Sequence, residues 1–218
     1  MLIHPWDAPL DDDEWQRWLA THDFGQLAVN GLPGHAPYIQ PMHFVYDPKP
    51  GAHGEIIAHL ARPNPLWQAV EADPHVLLSV VDDYAFVPGP WQSPADTPTE
   101  HGVPTSFYAA VQLRCTAHLV DDPAQKADLL NVQVGHFQPE GGSAPAAVGT
   151  APYGPMLSGI RGLRLEVTEV RAKFKYGSHK QQDVQERTAA GLTERAGAHD
   201  TAAHAHHLRR RTSGPTRA

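Results

Sequence analysis

The chain has 218 residues, of which 41% are hydrophobic, and this suits one domain with a sizeable core. Its formal net charge of −7 argues against nonspecific nucleic-acid binding, because phosphate binding normally requires clustered lysine and arginine. The single cysteine excludes an intrachain disulfide and favours a reduced, cytoplasmic setting. The sequence shows no signal peptide and no apolar run long enough to span a membrane.

The first part of the chain mixes helix and strand patterns. Acidic residues at 11–13 predict the start of a helix over about 12–22, because the N-terminal end of a helix favours negative charge. Short apolar runs bounded by Gly and Pro then predict strands. These strands cover 24–31, 36–47 and 54–61, a helix is expected at 64–73, and a fourth strand at 74–87 has a possible break at Asp82–Asp83.

The second part alternates long strands, helices and irregular segments. Residues 88–104 and 138–154 are rich in Pro and Gly and predict long loops. Strands are predicted at 105–122 and 160–177, and helices at 123–137 and 180–197. Because no repeated strand–helix–strand pattern occurs, this order favours a mainly β fold, an antiparallel barrel with peripheral helices.

The C-terminal segment differs in composition from the rest. Residues 198–218 are rich in His and Arg and show no apolar period, which predicts a disordered tail after a domain at 1–197. Its four arginines could contact an acidic partner or nucleic acid, or could simply increase solubility. The histidines form no metal-binding motif, so no metal site is predicted.

The junction between a predicted strand and helix at 58–69, AHLARPNPLWQA, places Arg62 where backbone N–H groups become free. A helix start with an added guanidinium suits a phosphate, since arginine donates two parallel hydrogen bonds. Pairing of Arg62 with Glu71 or Asp73, or a role in capping a neighbouring helix, is the structural alternative.

Three separated segments together resemble the PaiB family of FMN-binding split-barrel proteins, often named negative transcriptional regulators. The first segment is the H-x-A-R-x-N-P-x-W element at 59–67, the second is Val103-Pro104-Thr105 with Tyr108, and the third is Lys173-Phe174-Lys175. The chain has Ser106-Phe107 where the family commonly has Trp-Asn, and Phe174 where it commonly has Trp.

The resemblance implies a six-stranded antiparallel split barrel that forms a homodimer, with FMN bound between the subunits. It also implies a set of cofactor-binding residues, namely His59, Arg62, Asn64, Thr105, Tyr108, Lys173 and Lys175. Lys173 and Lys175 are two positions apart, so both project from one face of a strand and can contact one anion.

Each of these residues also has a structural alternative. His59 on an apolar strand can be a core histidine, the two lysines can belong to a solvated face, and Thr105 and Tyr108 can stabilise a strand. Trp67 is predicted to pack in the core.

Three functions follow from the resemblance and the composition. The first is a PaiB-type regulator that acts indirectly, since the negative charge and the lack of a helix-turn-helix poorly support direct DNA readout. The second is an FMN-dependent oxidoreductase acting on a small molecule, in which the flavin supplies the chemistry. The third is a haem-binding module with an axial histidine.

Overall fold

The structure, a computed structural model, describes residues 1–212 of the chain. The helices are α1 (Glu14–Leu19), α2 (Leu66–Ala72), α3 (Pro123–Phe137), α4 (Tyr153–Met156), α5 (Gln182–Arg195) and α6 (Asp200–Thr212). The strands are β1 (Phe24–Val29), β2 (Tyr38–His43), β3 (Val45–Asp47), β4 (Glu55–Ala61), β5 (His75–Val87), β6 (Thr105–Val120) and β7 (Ile160–Lys175). Within residues 1–212, no helix combines the length and apolar character needed to cross a membrane.

The strands form one seven-stranded sheet in the order β2-β1-β5-β6-β7-β4-β3. The pairs β1–β2, β1–β5, β3–β4 and β4–β7 are antiparallel. The prediction of a mainly β, antiparallel fold with helices is therefore confirmed. Across the described residues the strand order runs from β2 to β3 without closing, so it does not confirm a closed six-stranded barrel.

The chain divides into two compact units, each built from several segments. The first unit consists of 1–17, 81–111 and the described part of 171–218, and the second consists of 18–80 and 112–170. Strands β5, β6 and β7 contribute residues to both. A single domain over 1–197 stays a prediction.

In the second unit, the pairing of β4 with β7 fixes the position of the strand–helix junction. The register runs from Glu55 opposite Glu166 to Ala61 opposite Ile160. The next amide, that of Arg62, donates to the carbonyl of Gly159 at 2.9 Å. The junction is thus held at the end of the strand pair.

Strand β5, which contributes residues to both units, changes the alternation of its buried positions at Asp83. Positions 76, 78 and 80 are the inward residues of β5 before that point, whereas 83, 85 and 87 are buried after it. Asp83 has a φ of 53°, in the left-handed region that few non-glycine residues adopt. One extra residue in the strand, as in a β-bulge, moves the buried side chains from even-numbered to odd-numbered positions. The predicted break at Asp82–Asp83 is therefore a local irregularity within a continuous strand.

The prediction of a disordered tail is wrong for residues 200–212, which form α6. Its buried face consists of Ala203, His206, His207 and Arg210, at helical spacing. Arg210 is 1% exposed, and its guanidinium donates to Glu14 Oε2 at 2.8 Å and to the carbonyl of Ala8 at 2.9 Å. Because this face is mostly polar, the sequence of α6 has no apolar periodicity that would predict a helix. The rest of the predicted tail, 213–218, lies outside the described residues.

Histidine 207 joins α6 to the rest of the first unit. Its ring nitrogens lie 2.6 Å from the carbonyl oxygen of Tyr176 and 2.9 Å from that of Gln185. Burial is the largest effect on this ring and lowers the pKa of His207 below its usual value, although both carbonyls oppose that shift. The folded protein therefore binds a proton at His207 less readily than the unfolded chain.

We expect this difference to make stability depend on pH. The contribution of His207 is fully present above the unfolded pKa of about 6.5 and is lost as the pH falls through the lower folded pKa. The free energy of unfolding, measured by urea denaturation at several pH values from 7 to 5, should fall with pH. His207→Gln should be less stable at pH 7 but show a smaller fall, and equal pH slopes for the two proteins would contradict this assignment.

Candidate functional site

The first unit contains a cavity of about 360 Å³ whose lining is rich in basic and aromatic side chains. We call it the lysine cavity. The lining residues used below are His4, Trp6, Asp7, Gln92, Thr105, Lys173, Lys175, His179 and Lys180. Its size falls within the usual range for small-molecule sites.

Two lysines at the end of β7 meet the residues at the start of β6. Lys175 Nζ donates to Thr105 Oγ1 at 2.9 Å. The ammonium groups of Lys173 and Lys175 lie 5.7 and 5.9 Å from the centre of the Tyr108 ring, a distance at which cation–π attraction operates. The structure thus brings together four of the predicted site residues: Thr105, Tyr108, Lys173 and Lys175.

The two ammonium groups differ in their surroundings. Lys173 is 8% exposed, and its Nζ donates to the carbonyl of Leu2 at 2.9 Å and lies 3.7 Å from Asp7 Oδ2. Lys175 has the nearby hydroxyl of Thr105 instead. Burial, followed by the positive charge of Lys173, lowers the pKa of Lys175 below its usual value.

The electrostatics of this site favour an anion. Two positive charges held close together in a partly dehydrated place repel one another and lose hydration. A bound phosphate would offset both effects and would accept charge-assisted hydrogen bonds from the lysines and the threonine. The residues present therefore fit the phosphate group of a cofactor such as FMN.

The N-terminal segment supplies one wall of the lysine cavity. The rings of His4 and Trp6 stack with centroids 4.6 Å apart, and Trp6 lies 4.9 Å from the ring of His179. Ser178 Oγ donates to the carbonyl of Trp6 at 2.7 Å, which holds the segment in place. Sequence reasoning missed these residues, because no local pattern near the N-terminus indicates a contact with residues more than 170 positions away.

In the second unit, Arg62 lines a cavity of about 510 Å³ together with Asn64. Arg62 pairs with Asp121 at 2.9 Å, so an acidic partner is present, although it is neither Glu71 nor Asp73. Both side chains are about half exposed. An exposed pair of this kind is weak and leaves other guanidinium N–H groups available.

Asn64 organises the turn that leads into α2. Its Oδ1 accepts a hydrogen bond from the amide of Leu66 at 3.1 Å, and its Nδ2 donates to Gln40 Oε1 at 2.8 Å. Trp67 is 5% exposed and its Nε1 donates to the carbonyl of Ala61 at 3.0 Å, so it belongs to the core as predicted. Asn64 therefore has a clear local structural role.

His59 lines a different cavity of the second unit, with a volume of about 400 Å³. His59 Nδ1 lies 2.6 Å from Gln133 Oε1, and this contact orients the ring. The ring of His43 is 6.0 Å from that of His59, and burial lowers the pKa of His43. Within the second unit, the structure thus brings Arg62 and Asn64 together but places His59 at another cavity.

Among residues 1–212, no group of three or more His, Cys, Asp and Glu side chains is arranged to hold a metal ion. Cys115 is buried, and burial raises the pKa of its thiol to about 12. It therefore remains a thiol at neutral pH and lacks the thiolate needed of a nucleophile.

The sequence matches the family model described as "Putative FMN-binding domain" over residues 1–169. The matched part includes His59, Arg62, Asn64, Thr105 and Tyr108, and it ends before Lys173. No curated protein matches the chain significantly.

Two solved structures share the fold at low sequence identity. The flavocytochrome Anf3 from Azotobacter vinelandii is 17% identical, with 78% of this chain and 70% of that chain covered and a TM-score of 0.56. An FAD and haem binding protein from Mycobacterium smegmatis is 21% identical, with coverage of 84% and 79% and a TM-score of 0.56. The antiparallel sheet with helices is thus of split-barrel type.

The family match spans most of the chain and agrees with a cavity whose donors fit a phosphate. The prediction of FMN as the cofactor is confirmed at the level of the family. The chain belongs to the family of FMN-binding domains.

Proposed function

We propose that the protein is a flavoprotein that holds the phosphate of FMN in the lysine cavity. The observation that carries this proposal is the pair of ammonium groups at the end of β7, with Lys175 Nζ 2.9 Å from Thr105 Oγ1. A phosphate monoester carries a charge of about −1.5 to −2 at neutral pH. Lys173, Lys175 and the nearby Lys180 supply the positive charge that such a group requires.

The roles of the four clustered residues differ. Lys175 and Thr105 donate directly to the phosphate, while Lys173 adds positive charge from its position beside Asp7. Tyr108 contacts the two ammonium groups through its ring and positions them. Arg62 and Asn64 are proposed as further cofactor-binding residues of the second unit, as the resemblance to the PaiB family implies.

The biological output proposed here is PaiB-like regulation by a cytoplasmic homodimer, built on the six-stranded barrel of that family, with FMN between its subunits. Regulation would be indirect, through flavin chemistry or a protein partner. The formal net charge of −7 supports an indirect mode, because duplex DNA repels an acidic protein.

An FMN-dependent oxidoreductase acting on a small molecule is the second candidate. Both structural neighbours are named for redox cofactors, one as a flavocytochrome and the other as an FAD and haem binding protein. In this alternative the same lysines anchor the flavin, and the flavin supplies the redox chemistry.

The haem-binding alternative stays a prediction, and the second unit offers one place for it. Gln133 Oε1 holds the ring of His59 through Nδ1, and this contact does not involve the other ring nitrogen. Hydrogen bonding of this type is how axial and metal-ligating histidines are commonly oriented. Leu130, Val134 and Phe137 make the surrounding wall apolar.

Replacing Lys175 tests the proposed phosphate site. Lys175→Met keeps most of the side-chain volume and removes one charge-assisted hydrogen bond, so FMN affinity should fall by more than about tenfold. Fluorescence titration of the purified protein with FMN measures this change. Lys49→Met is the matched control, because Lys49 is an exposed residue of the second unit.

The control variant should bind FMN as tightly as the natural protein, and both variants should unfold at similar temperatures. Unchanged FMN affinity in folded Lys175→Met would exclude the end of β7 as the phosphate site.

Replacing Arg62 tests the second unit separately. If Arg62 donates to the phosphate, Arg62→Ala should weaken FMN by more than about tenfold, or about 1.4 kcal/mol. Its exposed pair with Asp121 contributes little to stability, so the unfolding temperature should barely change. Arg114→Ala is the matched control, since Arg114 forms an exposed pair with Glu169 at 3.3 Å; FMN affinity equal to that of the control removes Arg62 from the site.

Anaerobic reduction of the bound flavin by NADH and NADPH distinguishes an indirect regulator from an oxidoreductase. For an indirect regulator we expect the bound flavin to be reduced slowly, without sustained turnover of added electron acceptors. The protein should also fail to retard duplex DNA at physiological salt. Rapid, repeated turnover would establish the oxidoreductase instead, and retardation of promoter DNA would establish direct DNA binding.

A further inference from the structure

Two acceptor atoms in the wall of the lysine cavity are buried without a hydrogen-bond partner among residues 1–212. They are Asp7 Oδ1 and Gln92 Oε1. Asp7 is 2% exposed and Gln92 is 6% exposed, and both side chains line the cavity. Most buried polar atoms in proteins are paired, so two unpaired acceptors beside one cavity require an explanation.

The other polar atom of each side chain is already engaged. Asp7 Oδ2 lies 3.7 Å from Lys173 Nζ, and Gln92 Nε2 donates to Thr188 Oγ1 at 2.8 Å. The threonine hydroxyl has the carbonyl of Trp91 as its own acceptor at 3.5 Å, which supports the amide orientation of Gln92. Each side chain is therefore left with one oxygen that can only accept a hydrogen bond.

The backbone segments that carry both side chains are anchored by hydrogen bonds. The segment before Asp7 is fixed by Arg171, which donates to the carbonyl of Met1 at 2.7 Å, and by the bond from Lys173 to Leu2. The segment after Gln92 is fixed by Arg187, which donates to the carbonyl of Ser93 at 2.6 Å. Anchored supports of this kind keep a binding group in position before its ligand arrives.

The lysines and Asp7 in the wall of the lysine cavity together limit which ligands the cavity can bind. Lysines alone would suit any phosphate, including the free inorganic ion. A carboxylate beside them disfavours an anion at its own position, so Asp7 requires a donor rather than a second anionic oxygen. The matching ligand carries a phosphate at one end and hydroxyl groups a few bonds away.

We propose that Asp7 and Gln92 accept hydrogen bonds from the hydroxyl groups of the ribityl chain of FMN. This inference rests on the proposed function, because it takes FMN as the occupant of the lysine cavity. It adds a recognition element for the polyol to the lysines that bind the phosphate. The two acceptors select phosphorylated polyols over free phosphate and over simple alkyl phosphates.

The test compares three probes on the intact chain: FMN, a flavin phosphate whose ribityl hydroxyls are replaced by hydrogens, and inorganic phosphate as a competitor. The natural protein should bind the deoxygenated flavin at least about tenfold more weakly than FMN, because the acceptors then stay unpaired. Equal affinity for the two flavins would overturn the inference, and this arm needs no substitution.

Two variants locate the effect. Asp7→Ala and Gln92→Met each remove one acceptor, so each should reduce the preference for FMN over the deoxygenated flavin by about fivefold or more. Inorganic phosphate should bind Asp7→Ala as tightly as the natural protein, or more tightly, because a negative charge is lost. Parallel loss of FMN and phosphate affinity, or an unchanged preference in both variants, would overturn the inference.

The same experiments distinguish failure of the proposed polyol contacts from failure of the proposed FMN site. FMN binding by the natural protein, with no effect of the hydroxyls or of either variant, leaves the phosphate site standing and removes only Asp7 and Gln92. Failure of the natural protein to bind FMN removes the proposed function itself.

Discussion

The rest of the site depends on two ammonium groups at the end of β7, those of Lys173 and Lys175, which lie 5.7 and 5.9 Å from the centre of the Tyr108 ring. Lys173 is almost fully buried. The pKa of Lys175 is lowered first by the burial of Lys175 itself and then by the positive charge of Lys173. Without an anion, this arrangement costs free energy through lost hydration and mutual repulsion. Proteins tolerate such local costs mainly where they bind or react with a ligand, so the pair indicates a site rather than a device for stability.

The surrounding structure limits this cost without removing it. Asp7 lies 3.7 Å from Lys173 and only partly balances its charge, while Lys175 has a neutral hydroxyl as its neighbour. The first unit thus keeps one lysine engaged and the other available. This division suits a site that must fold without its cofactor and still attract a phosphate.

The sequence was sufficient for features that depend on local pattern. Alternation along 160–177 predicted β7 and therefore placed Lys173 and Lys175 on one face, and the Pro-Asn-Pro turn predicted the junction at Arg62. Features that depend on distant contacts could not be predicted. The return of the N-terminal segment to Lys173 joins residues 171 positions apart, and α6 buries mostly polar side chains.

The seven residues that the family resemblance implied have separate surroundings in the structure. Four cluster in the first unit, and within the second unit His59 lines a different cavity from Arg62 and Asn64. The family match ends at residue 169, so the assignment of the two lysines depends on geometry rather than on that match. A direct measurement on the lysine pair therefore tests the proposed phosphate site most sharply.

Parallel titrations of the cofactor-free protein with FMN and with riboflavin provide that measurement, because the two flavins differ only in the phosphate. If the ammonium pair binds this group, FMN should bind at least about 100-fold more tightly, since each charge-assisted hydrogen bond contributes roughly 1.5–3 kcal/mol. Equal affinity for the two flavins, or no binding of FMN to well-folded protein, would contradict the account.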